Sequence, residues 1–429
     1  MHRRKSPLSS DYRENCKTYK KGQYHIKYCP QGHVLKRLAQ TIYLDNNATT
    51  PVDPEVSDAI FSSLKRDFGN PSSSHRHGMQ ARKVIEDSRE IISTFLGCGQ
   101  EEIYFTSGGT ESNNLSLIGA TALHKKGHII TSAIEHPSVI RTCGHLESLG
   151  FEVTYVRSDN DGIVGIDEIR QAVRKDTILI SIMHSNNETG VIQPVDEIGR
   201  VAKEHGITFH VDAAQSIGKI PFSLNGSGID LLTVVSHKFY GPKGIGALYI
   251  RNNVRIAPVF FGAGHEKGLR PGTENVAGIA GFGKTCLLAG RDINSRVAHA
   301  TRLGELLLGG LKASIPGVRL NGHPSKRLPN TLNLRIPGIS SFELIEKIRD
   351  RVAISSGSAC HSGRQTPSGV LKNIGLTDEE ALSSVRLSTG KDNTEDEVNE
   401  AVGIIVNAVN ELKKNNPPPA LHSFPAGNL

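Results

Sequence analysis

The regular alternation of short apolar segments with longer helical segments is the feature that most constrains this fold. The apolar segments are rich in β-branched residues and occupy 103–106, 128–131, 153–156, 178–183, 208–211, 231–235 and 245–250. Helical spacing of apolar residues is found in 81–96, 138–149, 166–173 and 195–204. Continuous apolar strands that alternate with helices predict an α/β fold with a mixed, mostly parallel sheet that is covered on both faces.

The formal net charge of +7 comes entirely from the N-terminal arm, which we define as residues 1–40. The arm has ten Lys or Arg residues and two acidic ones, so the rest of the chain carries a net charge of −1. A protein that binds nucleic acid directly needs a basic stripe on a folded face, and this body has none. No segment has the roughly 18 consecutive apolar residues of a membrane span. These features predict a cytoplasmic protein that binds neither nucleic acid nor a membrane.

The two ends of the chain differ in composition from the body between them. The arm is basic and lacks a clear amphipathic stripe, so we predict that it is disordered. A peptide that targets the protein to an organelle is the alternative interpretation of the arm. The tail 416–429 is rich in proline and is predicted to be flexible.

The six cysteines predict reduced thiols, with neither disulfides nor a metal site. They lie far apart, without a C-x-x-C pair or the spacing of zinc ligands. Most are expected to be small buried hydrophobic residues. Cys360 differs, because the segment 355–363 around it is small, polar and glycine-containing. Such a segment predicts an exposed loop, in which a thiol can ionise to the nucleophilic thiolate.

Polar side chains follow five of the predicted strands, and the carboxyl ends of parallel strands are where α/β proteins bind ligands. The polar segments are 107–114, 135–136, 186–190, 212–215 and 236–238. Together they bring glycine amides, a carboxylate, side-chain amides, two imidazoles and one lysine to one edge of the sheet. One such strand end would mean little, but five predict a functional site.

Three of these groups match the three anchor points of pyridoxal 5′-phosphate. The turn 108–110 opens a predicted helix, where free N–H groups and the helix dipole favour a phosphate. Asp212 suits a protonated ring nitrogen, because an isolated carboxylate at a buried strand end is costly. Lys238 suits a Schiff base, because burial favours the neutral, nucleophilic form of an amine. His136 could stack on the ring, and Gln215 could reach the ring hydroxyl.

Seven segments resemble those of the cysteine desulfurases, which belong to the class V aminotransferase superfamily and to PLP fold type I. They are 43–50, 105–114, 185–190, 210–215, 237–244, 270–275 and 355–360. The resemblance runs in order from residue 41 to residue 413, and selenocysteine lyases share nearly all of it. We predict a large domain over 57–290 that binds the cofactor, and a smaller C-terminal α/β domain that combines 41–56 with 291–415.

The resemblance implies how each residue would hold the cofactor. Lys238 would bind it covalently, Asp212 would pair with its pyridine nitrogen, and Gln215 would contact its ring oxygen. His136 would stack on the ring and take part in proton transfer. The phosphate would be held by Gly109, Thr110, Ser236, His237 and, from the partner subunit of a homodimer, Thr273.

The resemblance also implies that Asn187 and Arg386 bind the carboxylate of the substrate, a task that suits a bidentate guanidinium. The chain departs from the family at Val235, where many desulfurases have a serine. Because of that departure, the sequence does not decide whether Ser236 makes the phosphate hydrogen bond that this serine makes in the family.

The resemblance further implies that Cys360 would take the sulfur atom of L-cysteine as a persulfide and leave L-alanine. An acceptor such as an iron–sulfur scaffold or a sulfur carrier would then receive the sulfur, for iron–sulfur cluster, thio-cofactor or tRNA biosynthesis. Selenocysteine lyase, which releases selenide and alanine from L-selenocysteine, is the main alternative. A class V aminotransferase has no need for the Cys360 loop. A non-catalytic scaffold would have no need for Lys238, Asp212 and His136 together with Cys360.

One motif points to a different chemistry. The segment 278–285 matches the P-loop pattern G-x-x-x-x-G-K-[ST] letter for letter. A P-loop follows a buried strand, however, and the preceding segment 272–275 does not have the composition of one. The apolar residues of 276–287 fall at helical spacing, so we predict a helix here.

Overall fold

The computed structural model describes residues 17–21, 24–28, 41–356, 359–361 and 364–415. The chain divides into one unit over Met1–Ile42 and another over Tyr43–Leu429. In the first unit, strands β1 (Lys17–Lys21) and β2 (Tyr24–Tyr28) pair in antiparallel fashion. The sequence predicts disorder here, whereas these ten residues form paired strands. The rest of the predicted arm and the tail 416–429 lie outside the described residues.

The remaining strands are β3 (Ile42–Tyr43), β4 (Ile103–Thr106), β5 (His128–Ser132), β6 (Glu152–Val156), β7 (Thr177–Ser181), β8 (Thr208–Asp212), β9 (Leu231–Val235), β10 (Gly246–Ile250), β11 (Arg319–Leu320), β12 (Thr331–Arg335), β13 (Val352–Ala353), β14 (Ser355–Ser356), β15 (Ala359–His361), β16 (Arg364–Thr366) and β17 (Ser384–Ser388). The α-helices are α1 (Pro54–Arg66), α2 (Arg76–Leu96), α3 (Gly109–Thr121), α4 (Pro137–Ser148), α5 (Ile166–Ala172), α6 (Val195–His205), α7 (Val276–Ser314), α8 (Ser341–Ile348), α9 (Gly369–Asn373), α10 (Asp378–Leu382) and α11 (Glu395–Asn415). Short 3₁₀ turns cover Gln100–Glu102, Ser236–Lys238 and Glu266–Gly268.

The central sheet has the strand order β4-β10-β9-β8-β7-β5-β6. Strands β9, β8, β7, β5 and β6 run parallel, while β10 is antiparallel to both of its neighbours, β4 and β9. This arrangement confirms the predicted mixed, mostly parallel sheet. Every predicted strand is present, with ends that differ by no more than two residues. Helix α2 begins five residues before its predicted start, where His75 Nδ1 accepts a hydrogen bond from Gly78 N and caps the helix.

A buried histidine joins the three strands at the centre of this sheet. His210 on β8 lies 2.8 Å from Ser181 Oγ on β7 through Nδ1, and 3.1 Å from Thr233 Oγ1 on β9 through Nε2. Burial lowers the pKa of His210 to about 4, so the ring is neutral and one nitrogen donates while the other accepts. Because side chains alternate between faces, a slip of one residue would break both contacts.

A second, antiparallel sheet has the order β11-β12-β17-β14. The 39-residue helix α7 precedes it and contains the P-loop-like segment 278–285, so the prediction of a helix there is confirmed. The predicted domain boundary at residues 290 and 291 also falls inside this unbroken helix, and the division into a large and a small domain stays a prediction. In the described part of the chain, no helix combines the length and apolar character needed to cross a membrane.

The turn that carries Lys238 is held against the core by the next residue. Phe239 is fully buried, its ring stacks on Phe95 at 6.3 Å between centroids, and it meets Phe282 of α7 edge-on at 6.1 Å. A side chain at Gly218, where φ is 75°, would come within 2.4 Å of the Phe239 ring. The position of the lysine therefore depends on aromatic packing behind it.

We expect Phe282→Ala to lower the free energy of unfolding by about 3–5 kcal/mol, because it leaves a cavity beside Phe239. Leu287→Ala is the matched control, since Leu287 lies on the same helix but is 52% exposed. It should change the free energy of unfolding by less than about 0.5 kcal/mol. Urea unfolding followed by circular dichroism measures both values. Equal effects of the two substitutions would contradict this account of the core.

Candidate active site

A cavity of about 420 Å³ lies where the parallel strands end. Nine of the predicted site residues line it: Gly109, Thr110, His136, Asn187, Asp212, Gln215, His237, Lys238 and Arg386. The expectation that several strand ends contribute to one site therefore agrees with the structure. Ser236 and Thr273 do not line this cavity, and the side chain of Cys360 lies outside the described part of the chain.

Asp212 is the last residue of β8, and two fixed donors orient its carboxylate. Asn113 Nδ2 donates to Oδ2 at 2.8 Å, and the Ala214 amide donates to Oδ1 at 2.9 Å. The carboxylate is buried, so these bonds help to offset its lost hydration. The sequence analysis assigned no role to Asn113, because its burial and its contact with Asp212 are visible only in the structure.

His136 is connected to Asp212 through a short chain of hydrogen bonds. Asn113 Nδ2 also donates to Ser138 Oγ at 2.8 Å, and Ser138 Oγ lies 2.8 Å from His136 Nδ1. The Ser138 amide donates to the same nitrogen at 3.2 Å, because His136 is the N-cap of α4. Burial and the nearby Lys238 lower the pKa of His136. In the neutral ring that results, Nδ1 accepts and Nε2 carries the proton.

Lys238 ends the 3₁₀ turn that follows β9, and its amine points at two backbone carbonyls. Nζ donates to Asn47 O at 2.9 Å and to Ala48 O at 2.8 Å. Burial, followed by repulsion from Arg386, lowers the pKa of Lys238 to about 8, against the opposing effect of Asp212. A substantial fraction of the amine is therefore uncharged and nucleophilic near neutral pH.

The start of α3 forms the end of the cavity that was predicted to hold a phosphate. Gly109 is the first residue of this helix, and a Cβ atom there would come within 2.8 Å of Val235 Cγ2. His237 Nδ1 lies 3.1 Å from Thr49 Oγ1, and burial followed by the charge of Lys238 lowers the pKa of His237 to about 4. The free N–H groups of a 13-residue helix and a neutral imidazole are suitable donors to an anion.

Two predicted phosphate ligands lie elsewhere. Ser236 is fully buried, and its Oγ has no hydrogen-bond partner among the described residues. This Oγ would lie 1.9 Å from a Cβ atom at Gly241, so the hydroxyl faces away from the cavity that Val235 lines. The structure thus does not bring Ser236 to the predicted phosphate. Thr273 is exposed, and its contribution to the site of a partner subunit stays a prediction.

Arg386 on β17 forms the opposite end of the cavity. Nη1 donates to Asn187 O at 3.0 Å, and Nη2 pairs with Asp45 Oδ1 at 2.7 Å. Nε is buried and has no partner among the described residues. The guanidinium is therefore held by Asp45 and Asn187, and Nη1 and Nη2 each carry a second hydrogen beyond these bonds, which suits the binding of a carboxylate. Asp45 lies in a segment that the sequence analysis quoted, but its pairing with Arg386 was not predicted.

The strand that precedes Cys360 in the sequence pairs with the strand that carries Arg386. In β15, Cys360 is opposite Gln365 of β16, so the backbone here forms an antiparallel strand pair where the sequence predicts a loop. The preceding strand β14 pairs with β17, and Ser355 lies opposite Arg386. Cys360 lies five residues after Ser355 in the sequence.

Comparison with known proteins identifies the family. The pattern of the family described as Aminotransferase class-V matches residues 42–400. The chain belongs to the class V aminotransferase family. Within this family, it is 44% identical over 383 residues to "Cysteine desulfurase IscS" of Dictyoglomus turgidum, covering 89% of this chain and 97% of that protein. It is 45% identical over 390 residues to "Cysteine desulfurase IscS" of Methanosarcina thermophila, covering 90% and 96%.

Solved structures of the family have the same fold. A "NIFS-LIKE PROTEIN" superposes with a TM-score of 0.82 at 37% identity and covers 86% of this chain and 100% of its own. The "NifS-like protein from Rickettsia africae ESF-5" gives a TM-score of 0.77 at 35% identity, with coverages of 87% and 99%. These similarities confirm the predicted fold type and the resemblance to cysteine desulfurases.

The low pKa of Lys238 can be tested in the cofactor-free protein. Labelling of its amine, followed by mass spectrometry, should have a midpoint near pH 8. Arg386→Leu removes a neighbouring cation, which favours the protonated amine, so the midpoint should rise by roughly one pH unit. Arg302→Leu, on the surface and paired with Glu395, should leave it unchanged. A wild-type midpoint close to that of a free lysine would refute this account of the site.

Proposed function

We infer that the protein is a cysteine desulfurase that depends on pyridoxal 5′-phosphate and converts L-cysteine to L-alanine. The observation that carries this inference is the presence of Lys238 and Asp212 in one cavity, at the ends of neighbouring parallel strands. The relatives named cysteine desulfurase, which match nearly the full length of this chain, support the same conclusion.

The residues of the cavity fit the cofactor at three points. Gly109 leaves a space beside Val235 that a Cβ atom would fill, so a phosphate could approach the amides at the start of α3. Asp212 would pair with the ring nitrogen, and the Lys238 amine would form the covalent bond. His136 would lie against the ring, with a neutral imidazole that its N-cap contacts hold in place.

The residues at the other end of the cavity suit an amino-acid substrate. The second hydrogens of the Arg386 Nη atoms would bind the substrate carboxylate, while the ion pair with Asp45 restrains the guanidinium. Asn187, whose carbonyl accepts from Arg386, would supply its side-chain amide. A carboxylate bound here would orient the amino acid towards Lys238.

Pyridoxal phosphate, when bound, supplies an electron-withdrawing ring that makes the bond between Cβ and sulfur of the substrate breakable. The Cys360 thiolate would attack the substrate sulfur, so that a sulfur–sulfur bond forms as the carbon–sulfur bond breaks. The electron pair of the broken bond would remain with the carbon fragment, which takes up a proton to become alanine. Lys238, whose pKa is lowered to about 8, and the neutral His136 are suited to move that proton near pH 7.

The finer points of this function are also proposals. The protein would act as a homodimer in which Thr273 completes the partner's phosphate site. Its persulfide sulfur would pass to an acceptor protein such as an iron–sulfur scaffold or a sulfur carrier. The names of the relatives favour L-cysteine over L-selenocysteine as the substrate. The cytoplasmic location predicted from the sequence stays a prediction.

Cys360→Ala tests the sulfur-transfer step. With L-cysteine and a reductant, the variant should lose at least about 100-fold in sulfide and alanine formation, because no nucleophile receives the sulfur. Cys143→Ala, at a buried cysteine outside the site, should retain the activity. Full activity of Cys360→Ala on L-cysteine would refute the persulfide mechanism. Loss on L-cysteine with retained turnover of L-selenocysteine would favour the lyase alternative.

Lys238→Ala tests the covalent bond to the cofactor. The purified variant should lack the visible absorbance of the wild-type protein, because no other described residue presents an amine to both Asp212 and the start of α3. Lys243→Ala is the matched control, since Lys243 is exposed and lies in the same segment. It should keep the absorbance band. A visible band in Lys238→Ala would exclude Lys238 as the attachment point.

A further inference from the structure

We propose that Lys219 is a positioning residue, which orients the amide of Gln215 so that an N–H group faces the ring oxygen of the cofactor. The proposal rests on the proposed function, because the ring oxygen belongs to pyridoxal phosphate. Lys219 lies four residues after Gln215, in the segment between β8 and β9. Neither the sequence motifs nor the mechanism described above gives it a role.

The amine of Lys219 is engaged by two side-chain oxygens. Nζ donates to Gln215 Oε1 at 2.8 Å and to Asn47 Oδ1 at 2.8 Å. A lysine amine has at least two N–H groups in either protonation state, so it can make both bonds whether or not it is charged. The charged amine cannot accept a hydrogen bond, and the neutral amine has a single lone pair for two amides, so the two contacts favour an oxygen on the side of each amide that faces Lys219.

The amide of Gln215 has only one favourable orientation in these surroundings. Its Nε2 donates to the backbone oxygen of Asn47 at 3.0 Å, while its Oε1 accepts from Lys219. The flipped amide would place its oxygen against the carbonyl oxygen of Asn47, which is repulsive, and its NH₂ group against the Lys219 amine, which accepts no hydrogen bond when it is charged. The amide nitrogen has two hydrogens, and the bond to Asn47 uses one. The other is available on the side of Gln215 that lines the cavity.

A lysine at this position is costly, and that cost argues against a space-filling role. The charged groups that face it are Lys238 and Arg386, both cations, and burial together with their repulsion lowers the pKa of Lys219 well below its ordinary value. A methionine would fill similar space without this penalty. The presence of a lysine here is explained if its hydrogen bonds hold the side chains of Gln215 and Asn47 in the orientation that the site requires.

Asn47 links Gln215 and Lys219 to Lys238, whose amine would bind the cofactor. The backbone oxygen of Asn47 accepts from both Gln215 Nε2 and Lys238 Nζ, the latter at 2.9 Å. Lys219 holds the side chain of this asparagine, whose Oδ1 also accepts from Asn330 Nδ2 at 3.1 Å. Lys219 thus contacts Gln215 and Asn47, which both line the cavity of His136 and Asp212, while Lys219 itself does not line it.

The test measures the holoenzyme's visible absorbance as a function of pH. A donor to the ring oxygen disfavours protonation of the chromophore, so Lys219→Met should raise the pH midpoint of the absorbance change. We expect a rise of about one pH unit, which corresponds to one hydrogen bond to a charged group. Cofactor affinity should fall by roughly tenfold. Lys219→Arg, which keeps a donor-only group, should restore most of both values.

A double substitution separates this role from a simple effect of charge. Gln215→Leu alone should raise the midpoint by a similar amount, and Lys219→Met should add almost nothing in that background, because both remove the same hydrogen bond. Lys284→Met, at a partly exposed lysine paired with Glu55, is the control and should leave the midpoint unchanged. Circular dichroism verifies that each variant is folded.

The outcomes separate this inference from the proposed function. If the wild-type protein has no visible band, the proposed function is wrong, and the present inference falls with it. If the wild type has the band and folded Lys219→Met keeps the wild-type midpoint, only the role of Lys219 is wrong. If the shifts of Lys219→Met and Gln215→Leu add fully, Lys219 acts through its charge and not through Gln215, which also overturns the inference.

Discussion

The hydrogen bonds of His210 across three parallel strands are the interaction on which the site depends. They join β7, β8 and β9 in one register, in which Asp212 lies opposite Thr233. With β8 and β9 in this register, the short turn after β9 places the amine of Lys238 in the same cavity as the carboxylate of Asp212. A neutral imidazole suits this task, because it supplies one donor and one acceptor where a charged ring would supply two donors. The chemistry at the strand ends thus depends on polar contacts inside the sheet.

The electrostatics of the site are dominated by cations that are held close together. Lys219, Lys238 and Arg386 lie around Asn47, whose backbone and side-chain oxygens accept from the two lysines. Burial, followed by repulsion from neighbouring cations, lowers the pKa values of both lysines, whereas Arg386 is restrained by its ion pair with Asp45. The N–H groups of Arg386 and of the start of α3 suit the carboxylate of a substrate and the phosphate of a cofactor.

Much of this could be predicted from the sequence, because the strands are continuous apolar runs and the site residues follow them directly. Asp212 and Lys238 could be found in this way, since a charged residue at a buried strand end is conspicuous. Asn113 and Lys219 could not, because their roles depend on which side chain each faces across the fold. Ser236 shows the limit of carrying a motif over. Many desulfurases have a serine at the position of Val235, whereas this chain has its serine one residue later. Because successive side chains point to opposite sides of the backbone, the hydroxyl of Ser236 points towards Gly241 and away from the cavity.

The close approach of Gly109 to Val235 has a consequence for how this site can change over evolutionary time. The two positions share one volume, so a larger residue at 109 is tolerated only after the side chain at 235 has become smaller. A serine at 235 would create that room and add a hydroxyl in the same step. The order of such substitutions therefore matters, because a larger residue at 109 clashes while Val235 is present, and a smaller residue at 235 removes that clash beforehand.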